Sequence, residues 1–284
     1  MIRVALPNKG RLSEDLKALF DDAGLPIRGR SERSLTAPFG DGAYEALFVR
    51  AADIPEFVAD GAADVGITGE DLVQESSRTL ATLLDLGIGR CRLALAASVD
   101  SGWQSAADVP NGSRIATCFP RLTRRFFEQV GRQVTLVPMS GAAEIAPRLG
   151  IADLICDLVS TGSTLRVNGL RELDTVLESS ARLVARQEAA GLDAVKELAL
   201  ALSSVLRARD QRYLMANVPK ARLAEVRERL PGLNGPTLSE VLGGSTFVAM
   251  HAVVPAQQVF RTVADLQALG CQGILVTRIE RLVP

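Results

Sequence analysis

Two stretches of this chain, far apart in sequence, follow one pattern, and that repetition constrains the fold more than any other feature. DGAADVGITGEDL (60–72) and LGIADLICDLVSTGSTL (149–165) each place a glycine at the end of a helix, Ala-Asp at the start of a strand, and Thr-Gly at the turn opening the next helix. The segments around them repeat the same order of strand and helix. Two similar lobes are expected, with the equivalent turns facing a shared cleft. Ligands in open α/β sheets bind outside the carboxyl ends of the strands, where both turns fall.

The local signals agree with this. IRVALP reads as a strand, and Leu12, Leu16, Leu19 and Phe20 recur at helical spacing until Gly24. After the strand YEALFV, Asp53 can cap a helix with Pro55 in its first turn, ending near Gly61. A second set follows: CRLALAAS, SRIATCF, the helix RLTRRFFEQVG, the strand VTLVPM and a helix over GAAEIAPRLG. This alternation predicts α/β architecture with a largely parallel sheet in each lobe. LDTVLESSARLVAR reads as one strand, and a helix runs from Asp193 to about Asp210, with Val195, Leu198, Leu202 and Val205 on its apolar face. Beyond it the order changes to strand, helix, strand, strand, helix, strand, a ferredoxin-like βαββαβ unit. Such units serve as small-ligand sensors or interaction domains, and fold alone does not choose between them. The expected division is lobe I over 1–90 plus about 180–210, lobe II over 91–179, and a C-terminal domain over 211–284.

At 284 residues the chain is long enough for two or three packed units. Lysines and arginines number 32 against 33 acidic residues, so no overall basic field recruits nucleic acid. MIRVALPNKGRL lacks the apolar core of a signal peptide and no run of about 18 apolar residues occurs, which makes the cytoplasm the expected location. Cys91, Cys118, Cys156 and Cys271 are scattered, without a CxxC pair, and read as small buried hydrophobes.

The chemistry concentrates in ICDLVSTGSTL (155–165). Even spacing along a strand puts Asp153 and Asp157 on one face. Ser160, Thr161, Gly162, Ser163 and Thr164 then form a turn into a helix, where backbone N–H groups and hydroxyls can cradle a phosphate. A carboxylate just upstream suits sugar hydroxyls, directly or with a magnesium ion. A phosphorylated ribose meets both requirements. Alone, the loop reads more simply as a capped helix, since Ser and Thr are good N-caps. PNKGRL adds two cations, Lys9 and Arg11, flanking Gly10 at a strand's carboxyl end.

The ordered series PNKGRL, FVRAADIP, DGAADVGITGEDL, RIATCFPRLTRRFF and GAAEIAPRLGIADLICDLVSTGSTL resembles the ATP phosphoribosyltransferase family, the enzymes that open histidine biosynthesis. The resemblance covers nearly the whole chain and includes the C-terminal unit, so it is to the long, self-regulated form. It implies two periplasmic-binding-protein-like lobes around a cleft and an ACT-like regulatory domain. It also implies transfer of a phosphoribosyl group from phosphoribosyl pyrophosphate (PRPP) to N1 of ATP, with Mg2+ as cofactor and pyrophosphate leaving. By the same resemblance, Asp157 to Thr164 bind PRPP with help from Glu144 or Asp153. Lys9, Arg11, Arg33 and Arg50 meet the pyrophosphate and triphosphate charge, and Gly10 and Asp71 lie on the ATP side. Free histidine would bind near Asn217 and Thr237 between subunits of a hexamer and inhibit, with no separate regulatory subunit, no nucleic acid and no membrane involved.

The residues agree with such chemistry. Adenine N1 already carries a lone pair, so attack needs positioning and charge rather than a base. The single histidine, His251, lies in the C-terminal unit and reads as a satisfied strand histidine. In RLTRRFF, Leu122, Phe126 and Phe127 should turn inward, with Arg121, Arg124 and Arg125 facing solvent, ATP phosphate or a neighbouring subunit. Two other readings remain: a binding protein that holds a small anion without turnover, and a phosphoribosyltransferase acting on another base.

Overall fold

The computed structural model describes residues 1–28, 34–230, 232, 235–242 and 246–283. The chain divides into two compact units, the first holding Met1–Ala18 and Leu25–Ala199, the second Leu19–Gly24 and the chain from Leu200 onward.

In the first unit, β1 (Ile2–Pro7), α1 (Arg11–Asp22, of which the residues from Leu19 on fall in the second unit), β2 (Thr36–Phe39), β3 (Tyr44–Val49), α2 (Ile54–Ala59), β4 (Val65–Gly69), α3 (Glu70–Ser76) and β5 (Ala81–Asp85) build lobe I. The chain then crosses to lobe II, made of β6 (Cys91–Ser98), β7 (Arg114–Thr117), α4 (Pro120–Val130), β8 (Thr135–Pro138), β9 (Leu154–Val159), α5 (Ser163–Val167) and β10 (Leu170–Ser179). It returns through β11 (Ala181–Ala185) to the lobe I sheet, and α6 (Asp193–Arg209) follows.

The sheet orders are β2-β3-β1-β4-β11-β5 and β10-β6-β9-β7-β8. Reversing the second superposes β8, β7, β9, β6 and β10 on β3, β1, β4, β11 and β5, and every pairing keeps its sense. β1 runs parallel to β3 and β4 as β7 does to β8 and β9, while β4/β11 and β11/β5 are antiparallel as are β9/β6 and β6/β10. The echo in the sequence is therefore a repeated fold. The sheets are mixed rather than largely parallel, because β6 and β11 each follow a crossing from the other lobe and run against the strands they join.

The repeat extends to side chains. Asp64 accepts from the backbone N–H of Arg3 at 2.9 Å, and its own N–H donates to Arg3 carbonyl at 2.9 Å. Asp153 does the same with Arg114, at 2.8 Å each way, and adds the Arg114 guanidinium at 2.9 Å. Gly61 and Gly150, which precede these aspartates, both have positive φ (78° and 68°), as the reversal after α2 and its counterpart requires.

Two local readings need correction. GAAEIAPRLG forms only a 3-10 turn at Ala143–Ile145 rather than a helix. Ala142 sits at φ 53°, which blocks extension toward the N-terminus, and Pro147 lacks the N–H that a continuing helix would need. LDTVLESSARLVAR is two strands in different sheets, β10 pairing with β6 and β11 with β4 and β5. The break lies at Ser180, whose hydroxyl donates to Asp85 at 2.7 Å and whose carbonyl accepts the Glu70 N–H at 3.0 Å.

In α4, Leu122 and Phe127 are buried and Phe126 packs against the lobe II core, as periodicity predicts. Two of its arginines turn to α3: the Arg121 guanidinium donates to the carbonyls of Glu75 and Ser76, and Arg125 to Gln74 Oε1 at 2.8 Å. The Glu75 carboxylate receives the N–H groups of Arg121 and Leu122, both at 2.9 Å, so the free end of α4 is capped from the other lobe.

The second unit contains β12 (Gln211–Pro219), α7 (Leu223–Arg229), β13 (Thr237–Glu240), β14 (Phe247–Pro255), α8 (Val259–Ala268) and β15 (Gln272–Arg278). Its sheet order β13-β14-β12-β15 is the antiparallel ferredoxin-like arrangement. Alternation buries Leu214, Ala216 and Val218 with Val248, Met250 and Ala252 in one core with Val226 and Leu266 of the helices. Of the cysteines, Cys156 and Cys271 are buried, while Cys91 and Cys118 are only partly so.

Candidate active site

β9 brings the acid and the hydroxyl turn together. Leu154, Ile155 and Cys156 anchor the strand in the lobe II core, and Asp157 emerges half-buried near its carboxyl end. There a cavity of about 220 Å³ is lined by Glu144, Asp157, Leu158 and the whole of Ser160 to Thr164, together with flanking apolar side chains. Burial pushes the Asp157 carboxyl above its ordinary value and the nearby Glu144 charge adds to the rise, while the Leu158 N–H, 2.8 Å from Oδ1, partly offsets both.

The turn itself is built for close approach. Gly162 adopts φ 72° immediately before α5, a conformation that costs other residues about 1–2 kcal/mol. The hydroxyls of Thr161 and Ser163 lie 3.0 Å apart. The N–H groups of Thr161 and Gly162 donate to no described residue, whereas the carbonyls of Ser160 and Thr161 accept from the guanidinium groups of Arg92 (3.2 Å) and Arg166 (3.4 Å).

Glu144, Asp157, Ser160, Thr161, Gly162, Ser163 and Thr164 are thus assembled around one cavity. Asp153 is not among its lining residues; it precedes β9 and is engaged by Arg114, which holds its carboxyl below the usual range. Asp71 is buried in α3, where its carboxylate accepts from the Ser179 hydroxyl at 2.5 Å and burial pushes its pKa up. Lys9, Gly10 and Arg11 follow β1 and Arg50 follows β3, adjacent parallel strands paired through Pro7 and Val49. These three cations are exposed and form no ion pair with a described residue, so they stand at the carboxyl edge of the lobe I sheet. Arg33 lies outside the described residues.

In the C-terminal unit a second cavity, of about 380 Å³, is lined by Tyr213, Thr237, Ser239 and His251 among others. Thr237 stands opposite His251 in the ladder, and the Tyr213 hydroxyl is 2.5 Å from His251 Nδ1. Asn217 is exposed on the same sheet, opposite Ala249, and is not among the lining residues. Sequence reasoning missed Arg92, Arg166 and Glu172, which support the hydroxyl turn, because a lone arginine opening an apolar strand carries no local signal. It also missed the Asp64 counterpart of Asp153, although the shared Ala-Asp of the two segments pointed to it.

Two α/β lobes, crossed twice by the chain, with a sugar-phosphate-sized cavity at the carboxyl end of a central strand, define a class of two-lobed small-ligand proteins. The HisG family model, ATP phosphoribosyltransferase, matches residues 50–207, and that of the HisG C-terminal domain matches 208–281. The ATP phosphoribosyltransferase of Gemmatimonas aurantiaca is 59% identical over 293 residues, covering 100% of both chains, and that of Haloarcula marismortui is 50% identical over 283 residues, covering 99% and 100%. A chain of the Thermotoga maritima ATP phosphoribosyl transferase (HisG:HisZ) complex superposes with TM-score 0.64 at 29% identity, over 73% of this chain and 99% of that one. The chain belongs to the ATP phosphoribosyltransferase family, pentosyltransferases that carry out the first step of histidine biosynthesis, and it has the long form with its own C-terminal domain.

Proposed function

We propose that the chain transfers the 5-phosphoribosyl group of PRPP to N1 of ATP, releasing pyrophosphate, and that the β9 cavity is where PRPP binds. The observation that carries this reading is the convergence of Glu144, Asp157 and the Ser160 to Thr164 turn on one cavity. The 5-phosphate accepts from the free N–H groups and hydroxyls of the turn, and Asp157 accepts from ribose hydroxyls. Lys9, Arg11 and Arg50 oppose the charge of pyrophosphate and triphosphate from the lobe I edge, and Arg33 is given the same role on the sequence resemblance alone. Asp153 acts on PRPP only by holding β9 in register, and Asp71 on the ATP side only by fixing the start of α3. No general base is assigned: the work is orientation and charge.

The family requires a divalent metal ion, and we take it to be Mg2+. Two carboxylates, Glu144 and Asp157, line the cavity, and among the described residues no group of three or more potential ligands converges. An ion needing about six oxygens fits there when substrate oxygens complete its shell. When bound, it neutralises charge on the departing pyrophosphate.

The C-terminal unit binds histidine near Thr237 and Asn217 and restrains catalysis. Leu275 (57% exposed) and Leu238 (39%) lie on its sheet, which supports a homo-oligomer, a hexamer in this reading. The working division is 1–90 with about 180–210, 91–179, and 211–284. No described helix is long and apolar enough to cross a membrane, and the cytoplasm is the proposed location. Ultraviolet absorbance of the protein mixed with ATP, PRPP, Mg2+ and pyrophosphatase tests the reading. A rise that needs both substrates and is suppressed by histidine is expected. PRPP binding without a rise would favour the binding-protein alternative, and no PRPP binding would remove the assignment.

A further inference from the structure

The β9 turn departs from its lobe I twin by four residues. From Asp64 to the first residue of α3 the chain takes six steps, and from Asp153 to the first residue of α5 it takes ten. In lobe I the end of β4 passes straight into its helix, and the Glu70 N–H is tied to Ser180 carbonyl. In lobe II the ladder with β6 ends at Val159, opposite Arg92, and the added residues run beyond any partner strand. A segment without ladder bonds needs another anchor to hold one conformation.

Arg92 is placed to be that anchor. Two of its nitrogens, Nε and Nη2, meet both oxygens of Glu172 at 2.5 and 2.6 Å, and the third, Nη1, donates to the Ser160 carbonyl at 3.2 Å. Both side chains of the pair are under a third exposed, and Arg92 is not among the residues lining the cavity. Glu172 belongs to β10, so the fork is clamped between two strands before it reaches the turn. A trans peptide sets its C=O and the following N–H in opposite directions. A carbonyl at Ser160 held by Arg92 therefore turns the Thr161 N–H away from the arginine.

We infer that Arg92, oriented by Glu172, is a positioning residue for the PRPP phosphate: it fixes the Ser160–Thr161 peptide so that its N–H is presented to the cavity. The inference rests on the assignment of PRPP to that cavity. Geometry, rather than charge alone, is what the role demands. A lysine at 92 keeps the charge but cannot span Glu172 bidentately and still reach Ser160.

The test compares Arg92→Ala and Arg92→Lys with the unaltered full-length protein, by titration calorimetry with PRPP and by steady-state kinetics in both substrates, with thermal unfolding alongside. Both variants should weaken PRPP binding and raise its KM about tenfold, as loss of a bond held through a charged group implies, while kcat and the KM for ATP move less than about twofold. Unchanged PRPP affinity in a folded variant would overturn the role. So would recovery of wild-type affinity by Arg92→Lys, which would make the effect one of charge. If Arg92→Ala does not fold, Arg92→Lys and Glu172→Gln carry the same comparison, with Glu172→Gln expected to shift PRPP binding in the same direction and less. Failure of the unaltered protein to bind PRPP would instead overturn the assignment of the cavity, and this role with it.

Discussion

The turn after β4 and the turn after β9 occupy the same place in two copies of one fold, and they are used in opposite ways. In lobe I, Thr68 fills the position of Asp157; it is fully buried and donates to Ala51 carbonyl at 2.7 Å. The next helix starts at once, and its Asp71 is closed onto Ser179 of the strand that leads back between lobes. In lobe II, four added residues move the helix start outward, leaving the Thr161 and Gly162 N–H groups without a described acceptor, the Thr161 and Ser163 hydroxyls bonded to each other, and a carboxylate half-desolvated beside a second one. A shared topology thus supplies a rigid frame, and four added residues open one of two equivalent turns into a cavity, which the proposed function makes a place for an anion.

The largest expected effect is at Asp157. Asp157→Asn should lower kcat/KM for PRPP by roughly a hundredfold, the scale of a lost charge-assisted hydrogen bond to sugar hydroxyls, and should not lower the thermal midpoint. The sign follows from its raised pKa: between the ordinary carboxylate value and the folded one, the native state binds the proton more tightly, so stability falls as pH rises through that window. Removing the charge removes that penalty. A large fall in midpoint with this substitution would show that Asp157 is structural, as Thr68 is.

The lobe I turn should respond in the converse way. Ser179→Ala removes the one side-chain hydrogen bond of the buried Asp71 carboxylate, leaving it only backbone donors, and should cost about 2 kcal/mol, seen as a midpoint lower by roughly 5 °C, with PRPP binding unaltered. Loss of PRPP affinity together with stability would erase the contrast between the turns.

A smaller effect separates carboxylates by pH. Asp71 is raised by burial, so wild-type stability should decline relative to Asp71→Asn as pH climbs from the ordinary carboxylate value up through the raised folded one. Asp153 is lowered by Arg114, so its contribution is present above the ordinary carboxylate value and disappears as pH falls through the folded pKa. Thermal midpoints measured from below the ordinary carboxylate value to well above it should therefore diverge from wild type with opposite slopes, Asp153→Asn in the acid part of the range and Asp71→Asn above it; slopes of the same sign would refute the assigned environments.

The smallest effect is the matched one. Asp64→Asn and Asp153→Asn should each cost about 0.5–1 kcal/mol, since each keeps one hydrogen bond and loses a partly exposed ion pair, Asp64 with Arg186 and Asp153 with Arg114. Neither should move the PRPP KM more than about twofold. A strong KM effect of Asp153→Asn alone would give that residue a direct part in binding and break the equivalence.

Much of this was legible in the chain itself. The echo of 60–72 in 149–165 gave the lobes, and the crowding of Asp157 with four hydroxyls gave the cavity, because these signals are local. What escaped depends on contacts distant in sequence. Ser179-Ser180 contains neither glycine nor proline, and serine marks a turn only weakly, so the passage from one sheet to the other reads as one continuous strand. Apolar spacing in GAAEIAPRLG imitates a helix, and only the backbone at Ala142 and the proline at 147 prevent one. Arg92 lies some 68 residues before the carbonyl it holds, and no periodicity connects them.

The most direct test of the central claim is calorimetric titration of PRPP, with Mg2+, into the wild type, Asp157→Asn and Ser179→Ala. The account predicts binding to the wild type and to Ser179→Ala with similar affinity, and binding weakened at least tenfold by Asp157→Asn. Equal affinity in Asp157→Asn, or a loss confined to Ser179→Ala, would contradict it.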